Sequence, residues 1–94
     1  MCGSYQYYKI STPFDKTCDI VWTVTPDSNS DYDLYVKWSS ACPSISDYDC
    51  RPFKTTGQTE TCSKTSFSGT AYALVRKYSG SGSYTISVSV TNCR

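Results

Sequence analysis

The chain has 94 residues, with nine Lys or Arg against eight Asp or Glu, no His and six Cys. That length holds one domain with one modest core, so the expectation is a single domain over residues 1–94 that needs covalent reinforcement. A net charge of +1 lacks the broad field that draws a protein to nucleic acid or anionic lipid, and no apolar run reaches the length of a membrane-spanning helix, so neither nucleic acid nor a membrane span is expected.

In chain order, residues 5–11 are rich in Tyr and include Ile10, a strand that Pro13 ends by removing a backbone donor. Residues 18–26 alternate Ile20, Trp22 and Val24 against Val21, Thr23 and Thr25 until Pro26 stops the run, which predicts a second strand. Asp27 to Asp31 is a cluster of turn-forming side chains. It leads into 31–38, Asp-Tyr-Asp-Leu-Tyr-Val-Lys-Trp, where the period of two sends Leu34, Val36 and Trp38 to the core and Asp33, Tyr35 and Lys37 to the other face.

From 39 to 53 the pattern breaks at Pro43 and Pro52, and the stretch reads as a long loop. Residues 54–63 hold two short Thr-rich pieces about Gly57, a hairpin or bulge, and 67–70 form a turn. Residues 71–78 carry apolar groups on both faces, as a strand in the middle of a sheet does. Ser79-Gly-Ser-Gly-Ser83 turns the chain into a last strand with Tyr84, Ile86, Val88 and Val90 inward and Ser and Thr outward. No segment keeps a helical period over three turns. The fold expected is an all-β, disulfide-stapled small β-sandwich or jelly-roll of about seven to eight antiparallel strands.

The cysteines are Cys2, Cys18, Cys42, Cys50, Cys62 and Cys93. An even count, no C-x-x-C pair and no His favour structural disulfides over a zinc site, and disulfides imply an oxidising compartment, hence a secreted or cell-surface location. No charged-then-apolar leader is present, so a secretory signal would have been removed and Met1 added as a start residue. A lipidated Cys2 is the alternative, but it would leave an odd cysteine. Spacing alone does not fix the pairing. If the first and last strands are neighbours, Cys2–Cys93 would stitch the termini, Cys42–Cys50 would close the loop, and Cys18–Cys62 would remain.

Asp31-Tyr-Asp-Leu-Tyr-Val36, Glu60 in a short strand, Ser68-Gly69-Thr70 before an aromatic-containing strand, then Tyr78-Ser79-Gly80 and Tyr84-Thr-Ile-Ser-Val88, taken together, resemble the bacterial and archaeal pre-peptidase C-terminal domain. The resemblance spans residues 5–90. It implies a non-catalytic, jelly-roll-like β-sandwich appended to secreted proteases and other extracellular enzymes, which in clostridial collagenases binds collagen and uses calcium. The acidic linker that carries calcium in those members has no counterpart before Tyr5, and six cysteines are unusual for the family, so neither collagen binding nor that calcium site is carried over.

Without His the commonest general base is missing, and no Gly-x-Ser-x-Gly elbow is present. Asp31 and Asp33, or Asp47 and Asp49, would sit on one strand face roughly 6–7 Å apart, a spacing for acid and base, but no cleft accompanies them. The expectation is therefore no catalytic residues and no required cofactor. Calcium suits the acids better: Asp27, Asn29, Asp31 and Asp33 offer oxygens at alternate positions, with Asp47 or Asp49 as an extra ligand, although Tyr32 stands where an EF-hand loop needs Gly. The bland reading is that these residues cap turns. Nine Tyr, two Trp and three Phe exceed what a small core buries, so Tyr35, Tyr72, Arg76 and Tyr78 are candidates for an exposed strip that stacks on sugars or receives an extended polypeptide. Trp22 and Trp38 are core candidates first. Three function classes follow. The first is an extracellular accessory or adhesion module that binds a protein or polysaccharide surface, carried by a secreted enzyme or surface protein; the second is a structural spacer or stability domain; the third is a calcium-switched or calcium-stabilised module.

Overall fold

The computed structural model describes residues 6–52, 57–80 and 82–94. Six strands follow in chain order: β1 (Gln6–Ser11), β2 (Cys18–Pro26), β3 (Asp31–Lys37), β4 (Glu60–Phe67), β5 (Thr70–Ser79) and β6 (Tyr84–Thr91). They form two antiparallel three-stranded sheets, ordered β1-β5-β3 and β4-β2-β6. The all-β expectation holds, with six strands among the described residues against the seven to eight expected. Of the two short Thr-rich pieces expected about Gly57, the one at 54–56 lies outside the described residues, and the other falls in β4, which runs on to Phe67. No helix among the described residues is long and apolar enough to cross a membrane.

The two central strands carry the core. Ile20, Trp22 and Val24 of β2 are buried at every second position, and β6 pairs along its length from Asp19↔Thr91 to Pro26↔Tyr84. Across the interface, β5 contributes Ala71, Ala73 and Val75, and β3 contributes Tyr32, Leu34 and Val36. Ile86, Val88 and Val90 pack on this cluster from β6 with polar residues between them facing water, as their alternation predicts. Trp22 is 2% exposed, and Trp38 packs against the core with its ring 5.6 Å from that of Phe67. Each fully buried Leu, Ile or Val contributes about 1.5–3 kcal/mol, and among the described residues only Ile20, Val24, Leu34, Val36 and Val75 are of this kind.

Disulfides supply the rest, with pairings other than those expected. Cys18 bonds Cys93 and Cys50 bonds Cys62, while Cys42 is also disulfide-bonded. Cys2–Cys93, Cys42–Cys50 and Cys18–Cys62 therefore do not form. The sheet order explains each failure. β1 and β6 belong to different sheets, so the first and last strands are not neighbours. Antiparallel pairing of β2 with β6 instead brings Cys93 beside Cys18: Thr17 and Arg94 exchange both backbone hydrogen bonds, at 3.0 and 2.9 Å, and the adjacent pair closes to 4.1 Å between Cα atoms. β2 and β4 are neighbours, but Cys18 registers with Phe67 and Cys62 with Trp22. Cys50 is bridged to Val36 of β3, so Cys50–Cys62 ties one sheet to the other.

Residues 39–52 are the feature that the strand pattern did not foreshadow in full. They leave β3, fold back on it through the Val36–Cys50 bridge, and are braced by the reciprocal Ser44–Asp47 backbone pair and the 2.6 Å Lys37–Asp47 ion pair. Tyr7 of β1 donates its hydroxyl to the carbonyl of buried Pro43. Since β1 and β3 are the two edges of one sheet, the loop crosses that sheet's outer face. This is why Asp33 and Tyr35, both directed away from the core, are each only 3% exposed.

The turn between β2 and β3 is fixed from another side. A Cβ on Gly80 (φ 90°) would strike the backbone oxygen of Asn29, and one on Gly82 would strike the Asp27 carboxylate. Gly82 donates its N–H to Ser30 Oγ at 2.7 Å and accepts from the Tyr32 hydroxyl at 2.8 Å.

Candidate functional site

β3 lies at the edge of its sheet, and its even-numbered residues turn their backbone groups away from β5. Such groups invite a foreign strand unless they are covered. Here the chain covers them itself: the Leu34 N–H donates to Glu60 Oε1 at 2.9 Å, Val36 exchanges bonds with Cys50 at 2.9 and 3.0 Å, and the Trp38 N–H donates to Asp49 Oδ2 at 2.8 Å. Glu60 is the first residue of β4 in the opposite sheet and is wholly buried. A carboxylate is thus drawn between the sheets, against the edge of β3.

It meets two more there. The register of β3 against β5 shifts between Asp31 and Tyr32, and a shift of this kind re-aims the side chain beside it. One oxygen each from Asp31, Asp33 and Glu60 lies within 4.8 Å of the others. All three acids are nearly or fully buried, at 9%, 3% and 0% exposure, and Oδ1 of Asp31 is buried with no hydrogen-bond partner. Arg51 closes the group from residues 39–52: its guanidinium donates to Asp33 Oδ2 at 3.1 Å and lies over the Tyr35 ring at 5.0 Å from the centroid, with Tyr48 packed edge-on to Tyr35.

The electrostatics follow from this arrangement. Burial, and then the neighbouring Asp33 charge, hold the Asp31 carboxyl above the ordinary value, with Arg51 acting in the other direction. Burial works against the Arg51 charge, but its hydrogen bond to Asp33 and the nearby charges outweigh that and raise its pKa. Two carboxylates this close repel by on the order of 3 kcal/mol at an effective dielectric near 20. Arg51 offsets part of this repulsion through its contact with Asp33.

The residues expected from the sequence are divided by the fold. Asp31 and Asp33 are in the cluster. Asp27 instead accepts from the Asn29 N–H at 2.9 Å, in a local turn. Asp47 pairs with Lys37, and Asp49 accepts from Trp38. In the aromatic strip, Tyr35 is not exposed, because Arg51 and Tyr48 cover it. Tyr72 is half-buried and Arg76 is exposed, whereas the Tyr78 side chain lies outside the described residues. Beside them a trough of about 530 Å³ runs between β1, β5 and the loop, with Tyr7, Ile45, Leu74, Arg76 and Lys77 among its walls. Ile45 is 55% exposed there. Glu60 and Arg51 carry no strong site signal in the sequence. An acid opening a strand that also carries a cysteine is a faint signal, and Arg51 beside Cys50 is placed only by the disulfide and the Val36 bridge.

Two known proteins are similar to this chain. Over 63 residues it is 46% identical to xanthomonalisin of Xanthomonas sp. (strain T-22), covering 66% of this chain and 7% of that protein. Over 77 residues it is 39% identical to a neutral protease of Vibrio proteolyticus, covering 69% of this chain and 12% of the protease. The chain thus spans a small fraction of the length of either relative. No protein-family model matches it, and no solved structure does.

Proposed function

We propose that this chain is a non-catalytic accessory module of the pre-peptidase C-terminal type, carried by a secreted hydrolase or a surface protein, and that it holds that protein to a protein or polysaccharide surface. The observation that carries the reading is the trough on the outer face of β1 and β5. Its lining joins the apolar Tyr7, Ile45 and Leu74 to the basic Arg76 and Lys77, and Ile45 is largely exposed. Its volume falls within the roughly 300–1,000 Å³ of ordinary ligand sites, and a solvent-facing Ile in such a lining favours contact with a partner.

Two facts support the rest. The stretch of likeness is 7% and 12% of two much longer proteins, one of them a protease, as expected of a module added to an enzyme. No cysteine among the described residues is free, which suits an oxidising, extracellular setting. The test is retention on insoluble collagen, chitin, cellulose and starch, comparing the chain with an Ile45→Ser, Arg76→Ala double variant. Retention that the variant loses supports the reading. Lack of retention on all four leaves the structural spacer or stability domain as the better account.

A further inference from the structure

We propose that Asp31, Asp33 and Glu60 form a binding site for a hard divalent cation, calcium above all, at the free edge of β3, where Glu60 reaches it from the opposite sheet. The site adjoins the surface-binding face, since Asp33 lies opposite Arg76 across β3 and β5, but binding of a cation is read below without any surface ligand. Three observations carry it. Three carboxylate oxygens, one per residue, lie within 4.8 Å of one another. Calcium holds its oxygens at about 2.3–2.6 Å, so two ligands across its shell are about 4.6–5.2 Å apart, and the three oxygens already have the span of a common shell. The donor set is all oxygen, without His or free thiolate, which selects calcium, magnesium or manganese over softer metals.

The second observation is Asp31 Oδ1, buried and without a hydrogen-bond partner on a residue nine-tenths buried. A carboxylate oxygen rarely stays so unless something absent from the protein chain completes it. Third, the acids are held in place by bonds that do not need an ion: Glu60 by the Leu34 N–H, Asp33 by Arg51, and Asp31 by its position at the register shift of β3. The cage is therefore formed before binding, and water would supply the remaining positions of a shell of six to eight oxygens.

Arg51 gives the site a distinguishing property. Its positive charge lies against Asp33, where it lowers the cost of the empty cage and competes with the ion. Removing that charge should tighten binding even as it loosens the loop, which a purely structural arginine would not do.

The experiment is titration of the chelator-treated chain with calcium and, separately, magnesium, read by calorimetry and by melting temperature, with terbium luminescence sensitised by the surrounding tyrosines as a second readout. The expected result is one saturable site, with a dissociation constant in the range of about 10⁻⁴–10⁻³ M found for extracellular calcium modules, and a higher melting temperature with calcium. Asp31→Asn, which keeps the shape of the side chain, should weaken binding at least about tenfold, and Arg51→Gln should tighten it by about tenfold through lost repulsion. If Arg51→Gln fails to fold, Arg51→Lys, which retains the charge, should bind no tighter than the unaltered chain. The proposal is overturned if calcium near 10 mM, well above that range, neither saturates a site nor raises the melting temperature, or if Asp31→Asn binds as tightly as the unaltered chain.

Discussion

Removing the two defined disulfides one at a time should cost unequal amounts, in an order set by the loop each one closes. Cys50 and Cys62 are 12 residues apart in sequence, and Cys18 and Cys93 are 75 apart. In the chain-entropy picture the first restricts the unfolded chain by about 3 kcal/mol and the second by about 4.5 kcal/mol. Packing losses nearly cancel in the comparison, because each pair contains one fully buried sulfur residue, Cys62 or Cys18, and one more exposed partner. Cys18→Ala with Cys93→Ala should therefore be the less stable double variant by about 1.5 kcal/mol, or about 6–12 °C in melting temperature for a domain of this size. Urea denaturation of both variants beside the unaltered chain reads the difference. The Cys50–Cys62 variant should differ in kind as well: with the inter-sheet tether gone, limited proteolysis should cut within residues 39–52 while the sheets remain folded. If it is globally the less stable of the two and the loop stays resistant, the bond acts by holding the sheets together in the native state and the loop-length argument fails.

Three other outcomes follow from the same geometry. Tyr35→Ala should cost about 3 kcal/mol because the ring is buried beneath Arg51 and Tyr48, whereas Tyr72→Ala, on a half-buried ring, should cost about 1 kcal/mol; equal costs in urea denaturation would contradict the covered face. Asp31 has a raised folded pKa, so in metal-free protein its penalty is absent below the ordinary carboxyl value of 3.8 and grows as pH rises from there through the folded value. Asp31→Asn should then be more stable than the unaltered chain at pH 7 without metal and no more stable near pH 3, as urea titrations at the two pH values would show. Asp19 has the opposite sign. The Asn92 side chain, then the Ser66 N–H, hold its carboxyl below 3.8, so its contribution is present above that value and is lost as pH falls through the depressed one, and Asp19→Asn should narrow the stability gap between neutral and acid pH.

Much of the architecture is legible in the sequence because one-faced burial leaves a period of two. Ile20-Trp22-Val24, Leu34-Val36 and Ile86-Val88-Val90 mark three strands, and the apolar groups on both faces of residues 71–78 mark a central one. β4 is hidden because only Glu60, Cys62 and Phe67 are buried in it, with Thr, Ser and Lys between them on an exposed edge. The acid cluster is half legible. Asp31 and Asp33 stand out by spacing, but their third partner comes from another sheet, and the nearer acid, Asp27, is taken up by its own turn. Local alternation carries no information about which strand lies across an interface. The strand pattern likewise directs Tyr35 outward without showing that residues 39–52 cover that face.

Amide chemical-shift mapping during calcium titration tests most directly where a cation binds. The largest changes should fall on Tyr32, Leu34, Glu60 and Arg51, saturating together. Changes centred on Asp27 and Asn29, or scattered over exposed acids such as Asp15 and Asp47 without saturation, would contradict it.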